Sequence, residues 1–422
     1  QTHTHTRTSS DIVPFHIKLT MNKWAALHGI RMASAAMMLW PWMLMSPAFS
    51  MQLPHASPAA GMGHSQLPPA PEEVPSRGIV MSCPVSESVD YTPTSWKPRN
   101  HFRGFEVTVR ILRKLGCQLP VFNIVYDDEL AATQPSCEAL ANEVPGITCM
   151  SMPPQKAGYG YSKIFAVDVA PANQVMFIDC DAFFVVDPTY LFDDSNFTAT
   201  GAVFWAGIEF GWGYGRDGQL EHGMPLIPEE RHKYKEEWWF QVGYESGFLM
   251  VDKAKSRVQF DTLLQIVDTY NHTELGEFSM GDKDLWHLAW LIAGPLCTES
   301  SCYEMPLVAM TGECTGDGRF QFSSHVMVDR VGRPIVYHQI HRLDDAILDF
   351  EATMALPNFL AILNIAKAGE YEFADKFFYD STCDDIHQRM MVQPVAEEFT
   401  YLVKAVGQCW NDLEGCPWPA SD

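Results

Sequence analysis

The stretch Gln174-Val-Met-Phe-Ile-Asp179-Cys180-Asp181-Ala-Phe-Phe-Val-Val-Asp187-Pro188 runs apolar through residues 175–178 and then stops in two carboxylates spaced i, i+2. Residues 175–178 read as a buried strand, and a strand that ends in Asp-x-Asp projects both acids from one face at its carboxyl end. In an open α/β sheet that edge is where ligands bind. Two acids beside a diphosphate would repel it, because like charges ~4 Å apart cost about 4 kcal/mol per pair at an effective dielectric near 20. A hard divalent cation reverses the sign, so the pattern points to a diphosphate held by Mg²⁺ or Mn²⁺.

Strand and helix signals alternate around this segment. Residues 78–83 form a short apolar strand, and residues 100–115 carry Phe105, Val109 and Leu112 at helical spacing before Gly116 ends the helix. Residues 119–126 read as the next strand, 135–143 as a short helix, 147–151 as a third strand, and 161–169 as the helix that feeds the Asp-x-Asp strand. Four strands alternating with helices predict an α/β fold with a mostly parallel, Rossmann-like sheet flanked by helices. Further on, 199–205 and 247–251 read as strands, 253–270 and 282–292 as helices, and 206–240 and 311–324 as irregular segments. From residue 343 onward the pattern predicts a helical C-terminal part with Cys-closed turns, covering the sheet.

The formal net charge is −23; residues 1–77 hold five Lys/Arg and three Asp/Glu, so residues 78–422 carry −25. Nucleic acid is excluded as a partner on that balance. A nucleotide donor would need a local metal or basic groups. Residues 1–20 are expected to be a non-native or untranslated leader. Residues 21–51 read as a targeting segment: Lys23 and Arg31 precede the uncharged, mostly apolar run 32–51. It is either an uncleaved signal anchor, which would make a single-pass type II membrane protein, or a cleavable signal peptide, given the small-residue pattern Ala48-Phe-Ser50. Residues 52–77 are a Pro/Ala/Ser-rich stem, and residues 78–422 the lumenal domain. Asn196-Phe-Thr198 and Asn271-His-Thr273 are sequons that agree with a lumenal location. Eleven cysteines in an oxidising compartment should include disulfides, with Cys297/Cys302 and Cys409/Cys416 as candidates. The odd count leaves one thiol over, and Cys180, between the two acids, is the expected one.

Several spaced motifs occur together. Lys163-Ile-Phe-Ala166, Phe177-Ile-Asp179-Cys-Asp181, Asp187-Pro188-x-x-Leu191-Phe192, Thr200-Gly201-x-x-Phe204-Trp205, Glu245-Ser246-Gly247 and Gly281-Asp282-Lys283-Asp284 stand in that order. The set resembles glycosyltransferase family 71, the fungal-type α-mannosyltransferases of the secretory pathway, over residues 78–341. That resemblance implies a GT-A fold in a single catalytic domain and a nucleotide-sugar donor, GDP-mannose at family level. It also implies Mn²⁺ or Mg²⁺, a glycan or glycoprotein acceptor, retention at the anomeric carbon, and a Golgi membrane location. Ala206-Gly207 depart from the family, which commonly has an acid soon after the Phe-Trp pair. Carried over, Asp179 faces the donor ribose or the metal, Asp181 ligates the metal, and Lys163 contacts the diphosphate as a compact cation. Glu245, Ser246 and Asp282, with Asp284 beside it, are candidates to bind sugar hydroxyls or serve the chemistry, with Gly247 allowing close approach; Asp282 is also placed to cap the helix that follows. A third metal ligand is expected from His338, at the end of Pro334-Ile-Val-Tyr, with His341 as its rival. Trp205, Trp212, Trp238 and Trp239 are each either a sugar-stacking residue or core packing.

Three readings compete. A haloacid-dehalogenase-type phosphatase also follows an apolar strand with Asp-x-Asp, but near the start of its domain rather than on about the fourth strand. A UDP-hexose transferase resembling family 8 keeps the fold and changes the donor. A catalytically silent lectin or scaffold keeps the fold and loses the reaction; the intact acids and Lys163 argue against it.

Overall fold

The computed structural model describes residues 75–85, 101–154, 161–207, 223–235, 237–241, 243–275, 279, 282–298, 300–314, 316–338, 359–364, 366 and 382–394. The strands are β1 (Arg77–Met81), β2 (Val121–Tyr126), β3 (Ile147–Met152), β4 (Gln174–Ile178), β5 (Ala182–Phe184), β6 (Ala202–Ala206), β7 (Tyr244–Asp252), β8 (Tyr303–Met305), β9 (Leu307–Cys314), β10 (Phe320–Val328), β11 (Pro334–His338), β12 (Phe359–Asn364) and β13 (Met391–Pro394). A seven-stranded sheet has the order β3-β2-β1-β4-β7-β6-β8, and a six-stranded sheet the order β13-β12-β9-β10-β11-β5. In the first, β1 to β4 run parallel, and β7 is antiparallel to both its neighbours. The expected α/β fold with a mostly parallel sheet is therefore present. The second sheet is antiparallel at every pairing.

Burial on both faces explains why the central strands read as unbroken apolar runs rather than alternating ones. In β4, Val175 and Phe177 point into one core, and Met176 and Ile178 into the other. Helix α1 (His101–Lys114) buries Phe105, Val109 and Leu112 against the second core, and Gly116, at φ +92°, turns the chain out of it. The helix expected to begin at Pro135 begins earlier. As α2 it spans Asp127–Glu143 with Pro135 inside, started by Asp127, Asp128 and Glu129, acids that suit the positive end of a helix. Residues 161–169 form α3 (Ser162–Val169). The expected strand at 199–205 is shorter, because α4 (Ser195–Thr200) occupies its start; Gly201, at φ +84°, ends that helix and releases β6. The remaining α-helices among the described residues are α5 (Trp238–Gln241), α6 (Arg257–Thr269), α7 (His272–Leu275), α8 (Asp282–Ile292) and α9 (Cys383–Arg389).

Three expectations need correcting. Residues 311–324 are not irregular: β9 and β10 pair through them as an antiparallel hairpin. The described residues of the C-terminal part are not mainly helical, since β12 extends the second sheet against β9, β13 pairs with β12, and only the seven-residue α9 is helical. Cys180 is not the spare thiol. It is bonded to Cys83 with a Cα–Cα distance of 5.8 Å, while the buried Cys117 is the free cysteine among those described. The physical reason is the sheet order: β1 and β4 are parallel neighbours, so the residues just past their carboxyl ends emerge side by side. Cys297–Cys302 is bonded as expected, and Cys137–Cys149 and Cys314–Cys383 are also bonded.

The targeting run 32–51, Cys409, Cys416, His341 and Trp212 lie outside the described residues. Among the described residues no helix is long and apolar enough to cross a membrane.

Candidate active site

The sheet order reverses beside β1: the chain builds β2 and β3 on one side of it and then crosses to β4 on the other. Ligands of open α/β sheets bind outside the carboxyl ends of strands at such a point. Asp179 and Asp181 sit there, on the turn that closes β4 and carries the chain into β5 of the second sheet. Three features hold the turn. The Asp179 amide donates to the Gly247 carbonyl at 2.9 Å, the Ala182 amide donates to the Asp179 carbonyl at 3.2 Å, and Cys180 is covalently tied to the segment after β1.

His338 reaches the acids through strand register. In the β11/β5 pair His338 lies opposite Ala182, one residue past Asp181. Its Nε2 is 3.1 Å from Asp181 Oδ1 and 3.9 Å from Asp179 Oδ2. Asp179, Asp181 and His338 thus offer ligand atoms that all lie within 4.8 Å of one another. Two carboxylates and one imidazole fit a divalent cation that accepts both oxygen and nitrogen, which Mn²⁺ does more readily than Mg²⁺.

Lys163 comes from α3, the helix that delivers the chain to β4. Its Nζ is 2.8 Å from Asp179 Oδ2, 3.1 Å from Ser246 Oγ and 3.3 Å from Asp282 Oδ1. Asp282, the first residue of α8, also accepts from Ser246 Oγ at 3.4 Å through Oδ1, while its Oδ2 is buried with no hydrogen-bond partner among the described residues. Asp284, 1% exposed, lies deeper, against Gly243. Burial, and then the carboxylates of Asp282 and Asp284, push the Tyr161 phenol up to about 12. Glu245 lies at the start of β7 and turns its carboxylate toward histidines. Oε2 is 3.3 Å from His325 Nδ1, and Oε1 is 3.6 Å from His338 Nδ1 while accepting the Gly247 amide at 2.8 Å.

The electrostatics follow from this crowding. Burial raises Asp179 to about 6; Lys163 pulls it down and Asp181 pushes it up. Burial would raise Asp181 as well, but the His338 imidazole beside it outweighs burial and holds it below the usual carboxylate range. Burial would lower His338, and the surrounding carboxylates, Asp181 foremost, lift it instead to about 9. For Lys163, burial is likewise outweighed by Asp179 and Asp282, which hold it firmly protonated. Glu245 is held far below the carboxylate range against burial by His325 and His338.

The sequence-derived set Lys163, Asp179, Asp181, Glu245, Ser246, Asp282 and His338 is therefore brought together, and Asp284 lies beneath it. His325 was not anticipated. Its only sequence signal is a histidine just past a segment read as irregular, and its place becomes evident once β10 and β11 are in register. Of the tryptophans, Trp205 is core, donating its indole N–H to the Val328 carbonyl at 2.8 Å, and Trp239 is buried against Tyr234 and Phe240.

None of the curated proteins matches the sequence. Among solved structures the chain is similar to the glycosyltransferase GlyE of Streptococcus pneumoniae TIGR4, at 13% identity and a TM-score of 0.34 over 55% of this chain and 45% of that one. It therefore spans less than half of that protein. It is similar to the galactosyltransferase LgtC in complex with donor and acceptor sugar analogs, at 13% identity and a TM-score of 0.34 over 54% of this chain and 72% of that one. It is also similar to mouse xyloside xylosyltransferase 1 in its apo form, at 10% identity and a TM-score of 0.33 over 54% and 84%. Residues 76–209 match the family model described as "Mannosyltransferase putative". The resemblance to a mannosyltransferase family, read from the spaced motifs, is thus borne out over the stretch that runs from β1 through Asp179 and Asp181 to just past β6.

Proposed function

We propose that this chain is a metal-dependent retaining glycosyltransferase. It moves a hexose, mannose from GDP-mannose in this reading, to a hydroxyl of a glycan on a secretory-pathway glycoprotein. The observation that carries the reading is the convergence of Asp179, Asp181 and His338 at the switch point of the sheet, with Lys163 beside them. Asp179, Asp181 and His338 would hold Mn²⁺ or Mg²⁺. A divalent cation bound there supplies the positive charge that neutralises a departing nucleoside diphosphate.

The chain's own residues do the rest. Lys163 bridges Asp179 and Asp282 at the α8 terminus, so its charge would sit where a diphosphate borders the sugar. Oδ2 of Asp282 has no hydrogen-bond partner among the described residues, and a sugar hydroxyl would supply it a donor. The transfer breaks the bond from the anomeric carbon to the diphosphate oxygen, forms one to the acceptor oxygen, and releases the acceptor proton. In this reading the apolar run 32–51 would anchor a type II Golgi membrane protein with its catalytic domain in the lumen, and the four disulfides among the described residues agree with an oxidising compartment.

The test is donor turnover by the purified protein with GDP-mannose and a panel of UDP-sugars, with Mn²⁺ and with chelator, beside Asp181→Ala. Metal-dependent GDP release from GDP-mannose, reduced at least about 100-fold in the variant, is the expected result. Turnover of a UDP-sugar alone would overturn the mannose assignment. No turnover of any donor by a folded protein would overturn the enzyme reading.

A further inference from the structure

His325 and His338 are direct cross-strand partners in the β10/β11 ladder, so their imidazoles stand side by side on one face of the second sheet. Glu245, arriving from the first sheet, lies against both. Each of its oxygens faces one Nδ1, Oε2 at 3.3 Å from His325 and Oε1 at 3.6 Å from His338. All three residues are buried. The Gly247 amide fixes Oε1 at 2.8 Å, and Gly247 itself makes room for the ring: a Cβ there would stand 2.5 Å from His338 Cε1 and 2.6 Å from Nδ1. The other nitrogen of His338, Nε2, is the one that faces Asp181 and Asp179.

We propose that Glu245 and His325 are positioning residues for the cation site, a carboxylate and a second imidazole that fix the ring plane and tautomer of His338 with Nε2 toward the two aspartates. This gives Glu245 a task other than contact with the sugar. His338 Nδ1 makes no hydrogen bond among the described residues, and Glu245 Oε1 at 3.6 Å faces it as a charge. A carboxylate beside the remote nitrogen of a metal-ligating histidine commonly orients the ring, and loss of such a partner typically costs about 10–100-fold in metal affinity. Here the partner is itself pinned at both oxygens, so the ring has little freedom to turn. The Glu-Ser-Gly sequence acquires a physical reason. Glu245 orients the ring, Ser246 points to Lys163 and Asp282, and Gly247 leaves the space that the ring fills.

The inference rests on Asp179, Asp181 and His338 as metal ligands, and its test separates the two claims. Mn²⁺ affinity of the full chain is measured by the electron paramagnetic resonance of free Mn²⁺ for wild type, Glu245→Gln, Glu245→Ala, His325→Gln and Gly247→Ala. Co²⁺ absorption spectra of each protein report the imidazole ligand, and thermal melts identify any variant that has not folded. The expected result is about 10–100-fold weaker Mn²⁺ binding in Glu245→Ala and Gly247→Ala, a smaller loss in His325→Gln, and an altered Co²⁺ spectrum in each. The turnover number should return to within a few-fold of wild type at saturating Mn²⁺. If wild type binds Mn²⁺ and folded Glu245 variants bind it equally well, the positioning role is overturned while the ligand set stands. Normal Mn²⁺ affinity with a turnover loss that Mn²⁺ does not restore would likewise overturn it and return Glu245 to the sugar. Failure of the wild-type protein itself to bind Mn²⁺ would overturn both claims.

Discussion

Glu304 offers a test of the packing behind the site that needs no ligand. It lies on β8, partly buried, and its Oε1 accepts the Tyr244 hydroxyl at 2.7 Å; Tyr244 opens β7 immediately before Glu245. Burial lifts the Glu304 carboxyl to about 8, against the downward pull of that hydrogen bond. An unfolded glutamate titrates near ~4.3. Between these two values the folded chain holds a proton that the unfolded chain has released. The stabilisation is therefore fully present below the unfolded value and is lost as pH rises through the folded one. The slope is at most about 1.4 kcal/mol per pH unit, or ~2.7 kcal/mol between roughly pH 5.5 and 7.5. At about 1–2 °C per kcal/mol for a chain of this size, that is roughly 3–5 °C in melting temperature. Glu304→Gln keeps an acceptor for Tyr244 and removes the titration. Melting of both proteins across this range, without reductant, should show the wild type losing that extra margin relative to the variant. Parallel curves would refute the reasoning, because they would mean that Glu304 ionises in the folded chain as it does in water.

Two further outcomes follow from the site. Lys163→Met leaves the partly buried Asp179 and the buried Asp282 without their shared cation; urea unfolding at neutral pH should show a loss of about 3 kcal/mol, and unchanged stability would contradict the ion-pair assignment. The double variant Cys83→Ser/Cys180→Ser opens a link between residues 97 apart in sequence and should lower stability by about 2–4 kcal/mol, with weaker Mn²⁺ binding as the turn between Asp179 and Asp181 loosens; intact Mn²⁺ binding would show that the backbone hydrogen bonds suffice to hold it.

What could be read in advance divides along a physical line. β1, β2 and β4 were legible because both of their faces are buried, which leaves an apolar run in the sequence that ends where the strand ends. Asp179 and Asp181 were legible because they follow the end of such a strand, and Lys163 and Asp282 because each stands in the first turn of a helix. β9 and β10 were not, because Gly312, Gly316 and Gly318 interrupt the pattern and the strands are held by pairing with β11 and β12. Their existence depends on partners distant in sequence, not on local preference. The disulfide partner of Cys180 was hidden for the same reason. That Cys83 emerges beside it follows from β1 and β4 being neighbours, which is a property of topology rather than of any window of residues. His325 and the orientation of Glu245 belong to a third kind, since they require the register of one sheet and its apposition to another.

The charge balance of the site explains why its parts come as a set. Asp179, Asp181, Glu245 and Asp282 converge on a chain whose formal net charge is already −23. Lys163 is shared between two of them, and the paired imidazoles are occupied with the others. A diphosphate entering alone would meet repulsion of about 4 kcal/mol for each carboxylate at ~4 Å, and that proximity lies well inside the ~8 Å over which salt screens exposed charges. A cation between the acids and the phosphates turns each of those repulsions into an attraction, so in this reading donor and metal enter as one unit. The same repulsion acts between Asp179 and Asp181 themselves, tending to splay a turn that must keep both carboxylates on one point. The bond from Cys180, the residue between them, to the end of β1 opposes that tendency covalently. If Asp179 and Asp181 hold a cation as proposed, a cysteine there fixes the separation of the two like charges that the cation would reconcile.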